Sequence, residues 1–341
     1  MLPFKLVYSD AYYLPLGAHV FPAEKYRHIH QRLLESGIAS PGDFVEPQPA
    51  SDDDVRLVHT SDYLRKLKHG SLTPREELEM EIPYSQELVA AFWLAAGGSI
   101  LAAERALLDG VGINIGGGFH HAFADHGEGF CMINDIAIAI RRMQKEGRIR
   151  RAMVVDCDVH QGNGTAAIFV PPDVQENVLP SRSRPALDPG PKADSHPFDG
   201  DVFTISLHQE NNYPAWKPLS SIDVNLPDGT GDPEYLSWLD NALSSGLRQF
   251  TPELICYVAG ADPYKEDQLG GLNLTIEGLK ERDELVYRAA MARGIPVMVT
   301  LAGGYALNVE DTVTIHCNTV VAAKEAFGTH SNGSSEKRWR R

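Results

Sequence analysis

The chain has 341 residues, 43% of them hydrophobic and 23% charged, and its formal net charge is −15. This length and composition predict a globular protein with a sizeable core, and one α/β domain of this size is common. Sequence-independent nucleic-acid binding depends on a basic surface, so the acidic balance argues against a direct nucleic-acid partner. The same balance is compatible with a cationic substrate.

The N-terminal segment and the cysteines indicate the compartment. The segment "MLPFKLVYSD" lacks a basic stretch followed by a long apolar run, so we expect no signal peptide. We also expect no apolar window of membrane-span length and no membrane partner. The four cysteines are scattered without a CxxC pair, at Cys131, Cys157, Cys256 and Cys317. This pattern favours a reducing compartment, and we expect a cytoplasmic protein.

Buried strands and amphipathic helices alternate along the chain. Apolar runs that predict strands occur at 4–9, 111–118, 151–158, 202–208, 253–260 and 295–304. Helix-like segments lie at 85–110, 133–147, 232–250 and 275–294. This alternation predicts a single α/β domain with a central, mostly parallel β-sheet and helices on both faces.

Two segments depart from that alternation. Residues 170–201 contain seven prolines in 32 positions, which is unusual inside a compact domain. Because this insertion joins a helix to the start of the next strand, we expect it opposite the ligand-binding edge, as a disordered or oligomer-contacting loop. Residues 327–341 are predicted to be a flexible, solvated tail, which leaves 1–326 as the folded domain. The sequence makes no prediction of oligomeric state.

Asp156, Asp158 and His160 stand at alternate positions where the strand of 151–158 ends. Alternate strand residues lie roughly 6.6 Å apart on one face, and ligands of α/β sheets bind beyond this end. Two buried carboxylates so close repel each other unless a cation lies between them. Asp158 and His160, with Asp262 from a neighbouring strand, supply three ligands of the types that catalytic zinc uses. A salt-bridge cluster is the alternative, but we expect no Lys or Arg near these motifs to neutralise them.

A pair of histidines follows another predicted strand end, after three glycines. Metal-dependent hydrolysis requires a base and an acid, and the ordinary pKa of histidine suits both, so His120 and His121 are candidates. Asp156 could orient one of the two imidazoles. Tyr305 follows two glycines and could donate a hydrogen bond to a developing oxyanion, or it could simply pack. The segment "GGGFHH" lacks the glycine spacing of a phosphate-binding loop.

Several motifs together resemble one known family. In order and spacing, the chain is similar to the zinc-dependent histone deacetylases and their bacterial relatives, of the arginase/deacetylase superfamily. The matching segments are "GGGFHHA", "GEGFCMINDIAIAI", "DCDVHQGNGTAAIF", "SLH", "AGADPYKEDQLGGLNLTIEGL" and "AGGY". The resemblance runs from about residue 5 to residue 325. "HVFPAEKY" and "LGGLNLT" look most similar to class IV histone deacetylases and the bacterial proteins close to them.

This resemblance implies a role for each candidate residue. The zinc ligands would be Asp158, His160 and Asp262, although this oxygen-rich set also accepts Fe(II). His121 would be the general base, and His120, held by Asp156, would stabilise the transition state. Tyr305 would polarise the acyl carbonyl.

The resemblance also implies a substrate channel and a second cation. Gly129 and Phe130 would line the narrow channel for the acyl-lysine stem, with Tyr213 opposite them. Potassium would bind beside the zinc, through a set formed by Asp156, Asp158, His160, Ser206 and the Leu207 backbone. A second cation would account for the second carboxylate of the strand end.

Three departures from the family pattern bear on these expectations. Asn163 stands where some members carry an aspartate that faces the histidine pair, which puts the pKa of His121 in question. "AGGY" replaces a commoner triple glycine but keeps the tyrosine, and the insertion is unusual for the family. Arginase-like enzymes need further aspartates where this chain has Gly162 and Gly260, so no two-metal site is expected.

The predicted activity is removal of an acyl group, most simply acetyl, from the amine of a lysine side chain by zinc-activated water. The substrate would be acylated lysine in a protein or peptide. The alternatives are an acetylpolyamine amidohydrolase, a long-chain lysine deacylase and a non-catalytic acyl-lysine-binding protein. A binding protein would be expected to have lost a ligand, a histidine of the pair or the tyrosine, and none is missing.

Overall fold

A twisted sheet forms the centre of the molecule. The computed structural model describes residues 1–169, 192–195 and 200–328, with backbone alone at 192–195. The strands are β1 Lys5–Val7, β2 Phe44–Val45, β3 Val111–Asn114, β4 Ala152–Asp156, β5 Lys192–Ser195, β6 Val202–Gln209, β7 Ile222–Leu226, β8 Leu254–Val258 and β9 Val297–Thr300. Their order is β2-β1-β3-β9-β8-β4-β6-β7-β5, and all pairs are parallel except β5 with β7. The predicted α/β class is confirmed.

Helices cover both faces of the sheet. They are α1 Lys25–Glu35, α2 Asp52–Val55, α3 Ser61–His69, α4 Pro74–Met80, α5 Gln86–Asp109, α6 Asp135–Lys145, α7 Asn163–Phe169, α8 Asp232–Gln249, α9 Ile276–Met291 and α10 Val309–Gly328. In β4, Met153 and Val155 belong to one apolar core, and Ala152 and Val154 belong to a second core on the other face. The sheet is therefore buried on both sides, as continuous apolar strands require.

The predicted strands and helices are all present, but the sequence patterns missed others. Strand β7, "IDVNL", alternates polar and apolar residues, so a search for continuous apolar runs overlooks it. Helix α10 is rich in Thr and Val, which have modest helix propensity, and packing against α9 and α1 compensates for this. Tertiary contacts thus decide both elements.

Helix α5 corrects one expectation. With 24 residues, it is long and apolar enough to cross a membrane by length and composition, the only such helix in the described part of the chain. However, 67% of its most apolar window is buried inside the fold. It packs on β1, β3 and β9 and on α6, so its apolar surface is that of a core helix.

The proline-rich insertion lies mostly outside the described residues. Residues 170–191 and 196–199 are not described, so the expected loop and its expected face stay predictions. Residues 192–195 form an edge strand antiparallel to β7, with Lys192 opposite Asn225, which corrects the expectation of a loop throughout. At the other end of the chain, α10 continues to Gly328, and the tail beyond it is likewise outside the described part.

Parallel strands place the chemistry at one edge of the sheet. Asp156 at the end of β4 is level with Ser206 of β6 and with Val258 of β8, and Val258 is level with Thr300 of β9. The segments that leave these strands therefore meet at a single place. That edge is where ligands bind in open α/β sheets.

Candidate active site

Asp158, His160 and Asp262 meet at this edge of the sheet. One donor atom from each lies within 4.8 Å of the others, and all three residues are buried. Backbone amides hold both carboxylates. Asp158 Oδ2 accepts from the amide of Gly303 at 3.0 Å, and Asp262 Oδ1 accepts from that of Val159 at 2.9 Å. Two strand ends and the loop after β9 thus fix the geometry of the three side chains.

One carboxylate oxygen of this cluster has no hydrogen-bond partner among the described residues. Asp262 Oδ2 is buried and accepts no hydrogen bond from any described residue. It lies 3.5 Å from His160 Nδ1. Burial, and then the charge of Asp158, raises the pKa of Asp262 to about 7. An oxygen, nitrogen, oxygen donor set with a free buried carboxylate oxygen fits a divalent cation such as zinc.

Gly303 makes room for this cluster. A Cβ at this position would collide with Oδ2 of both Asp158 and Asp262. Gly162 and Gly260 are equally constrained, because a Cβ there would meet Asp156 Oδ2 and Asp158 Oδ2, respectively. A side chain at either position would displace the carboxylates.

Lys25 corrects the expectation that no basic residue lies nearby. It is fully buried at the start of α1, and its Nζ donates to the carbonyl of Ala302 at 2.7 Å. The Nζ also lies 5.7 Å from the ring centre of Tyr305. Burial lowers the pKa of Lys25 to about 8, against the opposing charges of Asp262 and Asp158. Lys25 therefore stabilises the loop that carries Tyr305.

Arg282 is the second basic residue that sequence reasoning missed. This fully buried guanidinium donates to the carbonyls of Gly260 at 2.5 Å and Cys157 at 3.3 Å. Its ion-pair partner is Asp283, at 2.8 Å. Among the described residues, neither Arg282 nor Lys25 pairs with a carboxylate of the cluster. The ion pairs of the cluster are instead made by its own histidine, because His160 Nδ1 lies 3.2 Å from Asp158 Oδ1 and 3.5 Å from Asp262 Oδ2. Arg282 links the two segments that carry the candidate ligands.

His120 is held in a charged state. Its Nδ1 lies 2.7 Å from Asp156 Oδ2, and its Nε2 lies 3.7 Å from Asp158 Oδ1. Burial disfavours the imidazolium, but the charges of Asp156 and Asp158 outweigh burial and raise the pKa of His120 to about 9. At neutral pH this histidine is a cation beside the cluster.

His121 is neutral, in contrast to His120. Burial and then the charge of His120 hold the pKa of His121 well below its usual range. Its Nδ1 lies 2.7 Å from Asn163 Oδ1, and the Asn163 Nδ2 donates to Glu128 Oε1 at 2.8 Å. A neutral imidazole next to a cationic one gives a base and a charge stabiliser side by side. Glu128 is a third residue whose role the local sequence pattern does not reveal.

A tight turn borders the cleft beside the histidine pair. Glu128 and Cys131 exchange backbone hydrogen bonds, and Gly129 and Phe130 between them have φ of 52° and 66°. Positive φ at both central residues is typical of a type I′ turn. A Cβ on Gly129 would lie 2.8 Å from His121 Cδ2 and 2.9 Å from Tyr213 Cε1, so only glycine fits between those rings.

The cleft above the cluster is narrow and aromatic. An outer cavity of about 490 Å³, lined by Phe130, Tyr213 and Leu269 among others, adjoins an inner one of about 330 Å³. Tyr305 borders both cavities, and its ring makes edge contacts with Phe21 and Phe130 at 6.0 Å. Burial raises the pKa of Tyr305 well above its usual value, so its phenol keeps its proton and can donate.

Two of the residues expected to bind potassium, Asp156 and Ser206, are neighbours in the sheet. Ser206 lies level with Asp156 across β4 and β6, and its hydroxyl is 2.9 Å from His208 Nδ1. The Leu207 side chain is buried in the apolar core, which leaves only its backbone for a cation. The sheet brings Asp156 and Ser206 together, and potassium binding stays a prediction.

Comparisons with known proteins agree on one family. The histone deacetylase domain matches residues 19–320. An uncharacterized protein of Picosynechococcus sp. is 38% identical, over 95% of this chain and 99% of that protein. Histone deacetylase 2 of Arabidopsis thaliana is 33% identical, over 88% of this chain and 74% of that protein. The crystal structure of an HDAC homolog complexed with SAHA has a TM-score of 0.72 and 25% identity, over 95% of this chain and 84% of that one.

Proposed function

The chain belongs to the histone deacetylase family and is a deacetylase, and from this premise we propose that it hydrolyses the acetyl amide of lysine side chains in a protein or peptide. The observation that carries the proposal is the buried cluster of Asp158, His160 and Asp262, of which Asp158 and His160 line the inner cavity. Zn2+ is the proposed metal, with Fe2+ as the alternative for this oxygen-rich donor set.

The shape of the cleft favours a long, unbranched substrate. The rings of Phe130 and Tyr213 and the bare backbone of Gly129 leave a passage with apolar walls. A lysine stem has four methylenes and fits such a passage while its acetyl group reaches the cluster. A long-chain acyl-lysine and an acetylated polyamine also present a slender chain, and they are the alternatives that the experiment below distinguishes.

Each side chain then has one task in the reaction. The metal, held by Asp158, His160 and Asp262, would lower the pKa of water and polarise the acyl carbonyl. His121 is neutral and takes a proton from water as its oxygen attacks the carbonyl carbon. His120 remains cationic against Asp156 and stabilises the negative charge that develops. Tyr305 donates its hydroxyl in a hydrogen bond to the carbonyl oxygen. His121, which now carries the proton taken from water, passes it to the lysine nitrogen as the C–N bond breaks and acetate is released.

Two further assignments accompany this proposal. Potassium would bind at Asp156, Asp158 and His160 with Ser206 and the Leu207 backbone, and the adjacency of Asp156 and Ser206 supports this. The cytoplasm is the proposed location, supported by four cysteines that are all free.

Amine release from a matched panel tests the proposed function. The panel contains acetyl-lysine and myristoyl-lysine peptides and acetylspermidine, each with metal-stripped and zinc-restored protein. We expect turnover of the acetyl-lysine peptide that disappears on metal removal and returns with zinc. Turnover of acetylspermidine alone would identify a polyamine hydrolase. No turnover, with hydroxamate binding intact, would favour the binding-protein alternative.

Replacing Tyr305 by phenylalanine is expected to lower kcat by about 10²-fold with little change in KM, because one oxyanion donor is typically worth 10²–10³ in rate. Tyr305 is buried between Phe21 and Phe130, and phenylalanine keeps both edge contacts. Steady-state kinetics on the acetyl-lysine peptide measure the effect. Near-normal kcat in the Tyr305→Phe protein would remove Tyr305 from the mechanism.

A further inference from the structure

Glu128 joins the candidate base to the channel wall. It lies at the base of the tight turn, and its Oε1 accepts from Asn163 Nδ2 at 2.8 Å and from the Tyr213 hydroxyl at 2.6 Å. Its Oε2 lies 3.6 Å from Nε2 of His126 on the outer side. Glu128 touches neither the metal cluster nor the histidine pair directly, so any influence on the reaction passes through its neighbours.

The carboxylate fixes which way the amide of Asn163 points. An ionised carboxylate only accepts hydrogen bonds, so the Asn163 atom that faces Glu128 is the NH2 group. Burial raises the pKa of Glu128, but the nearby His126 and the hydrogen bonds from Tyr213 and Asn163 outweigh burial and lower it, which keeps the group ionised. The carbonyl oxygen of Asn163 must then face His121.

The orientation of this amide sets the tautomer of His121. A carbonyl oxygen at 2.7 Å from Nδ1 can only accept, so Nδ1 carries the proton of the neutral ring. The lone pair then lies on Nε2, where a base needs it. With the amide reversed, an NH2 group would face Nδ1 and favour the proton on Nε2, which would disable the base.

We propose that Glu128 is a positioning residue that, through Asn163, holds His121 in the Nδ1–H tautomer needed for proton abstraction. This inference rests on the proposed function for its catalytic meaning, but the tautomer itself is independent of activity. It also accounts for asparagine at position 163, because an aspartate there would place two carboxylate oxygens at hydrogen-bond distance and no donor between them.

A double-mutant cycle tests the relay, which is the chain of hydrogen bonds from Glu128 through Asn163 to His121. The proteins are wild type, Glu128→Gln, Asn163→Asp and the double variant, assayed for kcat and KM on the acetyl-lysine peptide. Glu128→Gln retains an acceptor oxygen, and we expect kcat within about threefold of wild type. Asn163→Asp alone is expected to lower kcat about tenfold or more, within the range of coupling between neighbouring groups. In the Glu128→Gln background the same substitution should cost about threefold or less, because the glutamine NH2 can donate to the new carboxylate.

His126→Phe is the matched control for the outer contact. Phenylalanine keeps the stack on Phe123, where the ring centres are 4.4 Å apart, and removes the contact to Glu128 Oε2. We expect kcat within about threefold of wild type. The proposal would be overturned if Asn163→Asp lowered kcat by the same factor in the wild-type and Glu128→Gln backgrounds, or in neither. A larger loss of kcat in His126→Phe than in Asn163→Asp would also overturn it.

A spectroscopic readout separates this inference from the proposed function. Nitrogen-15 spectra of histidine-labelled, metal-free protein at neutral pH report the tautomer, with the His121 signals assigned from their loss in a His121→Ala sample. We expect a protonated Nδ1 and an unprotonated Nε2 in wild type, and a share of rings protonated at Nε2 in Glu128→Gln, because the glutamine NH2 group can face Asn163 and reverse its amide. A proton on Nε2 in wild type would overturn the relay, whether or not any substrate is turned over. The expected tautomer in a protein without deacetylase activity would leave the relay standing and reject the proposed function.

Discussion

Replacing Asp262 by asparagine is expected to abolish amine release and to weaken zinc binding by more than about 100-fold. Outer residues that merely orient metal ligands typically cost 10–100-fold in affinity, and the loss of a ligand exceeds that. The reason lies in Asp262 Oδ2, the buried oxygen that no described residue satisfies. An amide in its place supplies either a neutral oxygen or an NH2 group, which repels a cation.

A second prediction concerns the thermal stability of the metal-free Asp262→Asn protein. The substitution removes one of two buried carboxylates that repel each other, and Oδ1 can still accept from the amide of Val159. The thermal midpoint without metal should therefore equal or exceed that of metal-free wild type. Zinc should raise the midpoint of wild type and leave that of the variant unchanged, because ligands stabilise only the form that binds them.

Calorimetric zinc titration and thermal melts measure both effects, with Asp54→Asn as the matched control. Asp54 is also buried, but it takes part in the capping box of α2 and pairs with Arg142 of α6, and it is not one of the clustered candidate ligands. Asp54→Asn should lower the thermal midpoint while zinc affinity stays at the wild-type value. Unchanged zinc affinity in Asp262→Asn would remove Asp262 from the ligand set.

Replacing His121 by alanine is expected to lower kcat by about 10²- to 10⁴-fold, the usual contribution of a general base. His121 faces the cleft, and its Nδ1 is engaged by Asn163, so it lies outside the proposed ligand set. Zinc affinity should consequently remain within about threefold of wild type. Steady-state kinetics and zinc titration on the same preparation separate the two quantities.

A mixed result for His121→Ala would be informative. Zinc loss in parallel with the loss of turnover would show that His121 binds the metal or supports its ligands rather than abstracting a proton. Retention of kcat would transfer the role of base to His120. That outcome is not expected, because the raised pKa of His120 keeps it protonated at neutral pH and unable to accept a further proton. Partial recovery of kcat with added imidazole would support the assignment, because a small base can enter the space that alanine leaves.

Much of the site could be predicted from the sequence because its signals are local. Asp156, Asp158 and His160 alternate directly after a buried strand, so their common face follows from strand geometry alone. Asp262 and Tyr305 follow other strands of the same kind, and parallel strands deliver their carboxyl ends to one edge. Continuous apolar runs likewise predicted the strands that the sheet buries on both faces.

Other parts of the site could not be predicted, because they depend on contacts between residues far apart in the chain. Lys25 lies 277 positions from Ala302, to which it donates, and Glu128 lies 85 positions from Tyr213. Nothing in the sequence around Arg282 shows that its guanidinium reaches the carbonyl of Cys157, 125 positions away. A pattern search locates residues that carry the chemistry but cannot pair them.

The sequence by itself determined the α/β architecture, the family resemblance and the set of side chains at the strand ends, because hydrophobic periodicity and motif spacing are properties of short segments. Only the tertiary structure decided the charge balance of the site. Packing buries Lys25 and Arg282 beside the acidic cluster and makes His120 a cation next to a neutral His121. Burial excludes water and so strengthens the interactions between nearby charges. The protonation state of each group therefore depends on neighbours that only folding brings together.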